Sequence, residues 1–205
     1  MGRGPVGEPA IIRYVNNSLA SVDDVSGSNN AMTLIKTVTA SSSANVSFVN
    51  GTSDVVLDST YPVYLVEFIG ALPGHSSRVN FQFNLSADTG SNYNVTKTTT
   101  IFEARHTEDG ATSCVAYSGR TLSEDLAQST SAQPVSNLCG ADNDQCVSGG
   151  MRLFNPAGTT HVKHFMSIVN NTFTESEASA ILYTAGYCNT TSAVNGVSFF
   201  FNTGN

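Results

Sequence analysis

Three sets of side chains in this 205-residue chain have the types and spacing that could carry chemistry. His161 and His164 stand in THVKHF. On a helix that offset puts both imidazoles on one face, where they could share a metal ion, whereas on a strand it puts them on opposite faces. Val162, His164, Met166 and Ile168 recur at every second position. The segment therefore reads as a strand, with His164 in or beside the core and His161 toward solvent or a neighbouring subunit. The second set is GADNDQ, flanked by Cys139 and Cys146, where Asp142, Asn143 and Asp144 offer oxygens to calcium. It has neither the spacing of a zinc knuckle nor the ligand ladder of an EF-hand, so it reads as a solvated turn. The third is Glu67 and Glu103, two carboxylates on predicted strands that could face each other across a cleft, as glycosidase pairs do. An ion pair between Glu103 and Arg105, on the same strand face, accounts for Glu103 more simply.

No G-x-S-x-G, H-E-x-x-H, G-x-x-x-x-G-K-[ST] or dinucleotide fingerprint occurs. The sequence thus reads as a non-enzymatic protein with no metal site and no cofactor. Charged residues make up 12% of the chain and the formal net charge is -7. That balance argues against nucleic acid, whose affinity comes from Lys and Arg neutralising phosphates. No apolar stretch approaches the roughly 20 residues that span a bilayer, so membrane insertion is not expected. At the start, Pro5, Gly7, Glu8 and Pro9 interrupt any apolar block of the kind a secretory signal carries. Cys114, Cys139, Cys146 and Cys188 are accordingly expected to be thiols made in a reducing cytoplasm. Sequons such as those at Asn45, Asn84 and Asn94 would then stay bare.

The elements that must position these residues are strands. From Met32 onward, short segments rich in Val, Thr, Phe and Tyr are separated by Gly, Asn, Asp, Ser and Pro, the pattern of an all-β sandwich. Val79, Phe81, Phe83 and Leu85 alternate with polar residues and predict a strand with one core face. Further strands are expected at 33–39, 44–49, 61–69, 93–106, 147–154, 159–169, 180–188 and 196–202, forming two packed antiparallel sheets. The loop ADTGSNYN around Asp88 reads as a hairpin turn. TLSEDLAQS, with Thr121 and Glu124 spaced as a capping box, predicts one short helix. Residues 1–31 read as an extended N-terminal arm and polar linker, and residues 32–205 as the β domain.

DTGSNYNVTKTTT, DLAQST, LFNPAGTTHVKHF and AGYCNTTSAVNGVSFFFNTGN resemble a family of small virion proteins of tailed, often marine, bacteriophages. The resemblance covers about residues 32 to 205. It implies a jelly-roll-like antiparallel β-sandwich displayed on the particle, of structural, fibre or decoration type, and supplies no catalytic residues. The arm lies outside it. There Ile11, Ile12, Tyr14 and Val15 offer backbone for strand addition and alternate side chains for pockets on a major capsid protein or a tail or neck protein. The expected protein is a capsid decoration protein on the virion's outer surface, a homotrimer clipped on by this arm. A short tail or neck fibre and a module that binds host-surface glycan are the alternatives.

Overall fold

The computed structural model describes residues 32–74, 78–117, 124–173 and 177–203. The chain divides into two units, Met1–Leu34 and Ile35–Asn205, and the described strands all lie in the second. The strands are β1 (Val46–Val49), β2 (Val63–Ala71), β3 (Phe81–Ser86), β4 (Lys97–Thr107), β5 (Ser113–Tyr117), β6 (Gln133–Pro134), β7 (Val147–Phe154), β8 (Lys163–Thr172), β9 (Ala178–Cys188) and β10 (Gly196–Phe201). They form a four-stranded sheet in the order β1-β10-β3-β6 and a six-stranded sheet in the order β2-β7-β8-β9-β4-β5. Every pairing is antiparallel. This is the expected all-β sandwich. Ile11, Ile12, Tyr14 and Val15, with the arm as a whole, lie outside the described residues.

Aromatic rings lock the two sheets together. Phe68 on β2 meets Phe81 and Phe199 of the opposite sheet edge-on, with centroids 5.1 and 4.8 Å away. Phe83 on β3 meets Phe165 on β8 in the same manner at 5.1 Å. Such pairs contribute beyond the area they bury. The predicted core face of β3 is the observed one, since Val79, Phe81, Phe83 and Leu85 are all buried.

Where β2 crosses β7 the ladder breaks register between Phe68 and Ala71. Gly149 sits opposite Phe68 with φ +154°, and a Cβ there would fall 2.3 Å from the carbonyl oxygen of Ile168 on β8. Only a residue without Cβ lets β7 and β8 approach so closely.

Other expectations fail for identifiable reasons. Residues 33–39 form no strand, and Met32 and Leu34 are exposed. The predicted helix at 121–129 begins outside the described residues, and 124–129 is not helical. There the backbone pairs with β4 instead: Leu126 N–H donates to Thr99 Oγ1 at 2.7 Å, and Ser129 and Lys97 exchange two bonds. The loop after β3 carries its turn, with Asp88 accepting from the Asn92 backbone and side chain. It leads into the other sheet rather than closing a hairpin. The strands β5 and β6 lie in segments where the sequence predicted none.

Candidate functional site

Along β8, side chains alternate strictly between inside and outside, as a strand covered on one face requires. The inward set is Lys163, Phe165, Ser167, Val169 and Asn171; the outward set is His164, Met166, Ile168 and Asn170. This reverses the expected register, and His164 faces out rather than into the core. Phe165 and Val169 supply the buried apolar surface, and each inward polar side chain has a donor group that finds a partner, although Asn171 Oδ1 is left without one. Lys163 Nζ donates to Thr191 O at 2.7 Å, Ser167 Oγ to Gly150 O at 3.1 Å, and Asn171 Nδ2 to Asn137 O at 2.7 Å. A buried polar group so bonded costs little, so the aromatic ring wins the inside.

The centre of the outer face of the six-stranded sheet is apolar. Register across all six strands aligns Glu67, Gly150, Ile168, Tyr183, Phe102 and Tyr117 in one row. The adjoining row runs Leu65, Arg152, Met166, Ala185 and Thr100. Met166 is 51% exposed, Ile168 46%, Phe102 42% and Tyr117 59%. The rings of Phe102 and Tyr183 stack 4.7 Å apart, within 9° of parallel. Glu67 and Arg152 lie toward the β2 edge, and His106 and His164 lie near the strand ends. An open depression of about 520 Å³ on this side is lined by Thr98, Phe154, His164, Met166 and Tyr187. An exposed apolar patch rimmed by polar groups is how a contact surface presents itself.

The interior holds a polar network that the sequence did not reveal. Glu67 and Glu103 are on opposite faces of the sheet, Glu67 exposed and Glu103 1% exposed. Nor does Glu103 pair with Arg105, whose Nε donates to Cys114 Sγ at 3.1 Å. Glu103 instead meets Glu124 through Asn137. Asn137 Nδ2 donates to Glu103 Oε2 at 3.0 Å and to Glu124 Oε2 at 3.2 Å. Burial, helped by the charge of Glu103, pushes the Glu124 carboxyl up to about 7, against the stabilising bond from Asn137.

A second buried row crosses three strands, with Cys188 on β9 opposite both Lys97 on β4 and Lys163 on β8. Lys97 Nζ donates to Asn84 Oδ1 at 2.6 Å and to Val95 O at 2.9 Å, and burial brings its ammonium down to about 8. Burial drives the Cys188 thiol up to about 11, against the pull of the two lysines. All four cysteines are free thiols.

Of the metal candidates, His161 is exposed in the bend before β8, and His164 faces outward on β8 with its ring 6.3 Å from that of Tyr187. Asp142, Asn143 and Asp144 are exposed in a turn closed by Gln145 N–H to Asp142 O at 2.9 Å. Among the described residues, no group of three or more His, Cys, Asp or Glu side chains converges as a metal site would require. No family model matches the sequence, and no curated protein or solved structure matches it either.

Proposed function

We propose that this chain is a non-enzymatic structural protein of a tailed-phage virion, displayed on the outside of the particle as a capsid decoration protein. The observation that carries an assembly role is the exposed row Ile168, Tyr183, Phe102 and Tyr117 on a regular sheet face. Such a surface is costly to leave in water and is ordinarily covered by protein. The virion setting rests on the resemblance of residues 32 to 205, which also supports the jelly-roll-like reading of the sandwich. In this reading Ile11, Ile12, Tyr14 and Val15 clip the chain to a capsid, tail or neck protein by strand addition.

Mass-spectrometric copy number in purified particles of the encoding phage tests the reading. A number matching the capsid lattice supports decoration, and a handful of copies places the chain on the tail or neck. Absence from the particle overturns the reading. A chain beginning at Met32 should fold yet fail to bind particles stripped of the native protein; equal binding would make the domain surface the anchor.

A further inference from the structure

We propose that two copies of this chain pack face to face through the outer surface of the six-stranded sheet, with Met166, Ile168, Tyr183 and Phe102 at the centre of the contact. The inference rests on the reading of that face as a contact surface and names its occupant.

Three features favour a second copy. The first is charge. A chain of formal net charge -7 repels its own copy wherever that charge is displayed. The centre of this face displays none, because between Arg152 on β7 and the β5 edge the two middle rows hold only Met166, Ile168, Ala185, Tyr183, Thr100, Phe102 and Tyr117. The second is size. Six strands span roughly 24 Å and a ten-residue strand about 34 Å, a footprint of roughly 800 Å², close to what each partner buries in a standard stable interface. The third is composition. Met and aromatic side chains hold the middle while His106, His164, Glu67, Arg152 and Asn170 lie around it, the division between core and rim found in protein interfaces. Two sheets brought together in this way stack about 10 Å apart, with their side chains interleaved.

A two-fold contact uses the same patch on both copies and closes at two. The inference therefore replaces the trimer expected from the sequence with a dimer.

Sedimentation equilibrium of the full chain across the micromolar range, paired with peroxide oxidation of Met166 followed by peptide mass spectrometry, tests it. The expected result is a dimer in which Met166 oxidises several-fold more slowly than in the dilute monomer. Ile168→Lys should give a monomer with an unchanged far-UV circular dichroism spectrum. Ser47→Lys, on the edge strand of the four-stranded sheet, should leave the dimer intact. Should Ile168→Lys fail to fold, the concentration dependence of Met166 oxidation in the unaltered chain decides alone. A dimer that Ser47→Lys dissociates while Met166 stays reactive would mean pairing by strand edges and overturns the proposal. So does a chain that is monomeric throughout the range. In that case, protection of Met166 on the particle keeps the contact-surface reading, and an equally reactive Met166 there removes it as well.

Discussion

Glu103 and Glu124 accept hydrogen bonds from the same amide nitrogen, Asn137 Nδ2, at 3.0 and 3.2 Å inside the sandwich. Burial away from water disfavours the ionised form of a carboxyl, and a second carboxylate nearby adds to the effect. Glu124 carries the consequence, its carboxyl raised from 4.5 to about 7.

A carboxyl whose folded pKa is raised holds its proton more tightly folded than unfolded. Its contribution to stability is then fully present below about pH 4.5 and is lost as pH rises toward 7. The unaltered protein should lose on the order of 3 kcal/mol from this group between those limits. Glu124→Gln removes the titration, so the difference in stability between variant and parent should shift in the variant's favour across that range. Denaturant melts at a series of pH values measure it; a difference independent of pH would mean that Glu124 titrates normally.

Cys139 and Cys188 are fully buried, and burial raises both thiols to about 11, whereas Cys114 and Cys146 are partly exposed. Thiolate is the reactive form. Iodoacetamide should therefore modify Cys114 and Cys146 in the folded protein, and all four only after unfolding without reductant. Peptide mapping checks this, and a Cys139 to Cys146 bridge would appear as unlabelled sites after unfolding.

Phe83 is wholly buried between Phe165 and Phe199, while Gln82 on the same strand is only half-buried. Phe83→Ala should destabilise by about 3 to 5 kcal/mol. Gln82→Ala should cost far less. Equal melting of the two variants would show the register of β3 to be wrong.

Gly149→Ala places a methyl group against the Ile168 carbonyl. A cost of about 1 to 3 kcal/mol or more is expected from overpacking at a backbone that cannot retreat. Since Ile168 lies on the outer face, the same variant should shift the amide resonances of β8 more than those of β10. Uniform shifts across both sheets would argue against a local effect.

The strand at Phe81–Ser86 was legible because its inward residues are apolar and its alternation is unbroken until Asn84, which is buried to hold Lys97. The face of β8 was not legible, because both of its faces carry apolar side chains. Only the partners of Lys163, Ser167 and Asn171, contributed by distant segments, decide between them. Local signals also misled at Glu124. A capping-box spacing describes what a segment could do alone, whereas the Glu124 carboxylate is engaged by Asn137 and the following backbone by β4. The exposed apolar row was within reach of the sequence once the inside of β8 was known, since Tyr183 and Phe102 follow from register alone.

Lys97 and Lys163, enclosed on either side of Cys188, are two of only three lysines in the chain. Lys36 is the remaining one and is partly exposed. An amine-reactive dye or cross-linker added to the folded protein thus has a single lysine side chain to find. That makes Lys36 a ready point for attaching a reporter by ordinary acylation chemistry, without engineering the domain, once the α-amino group is blocked.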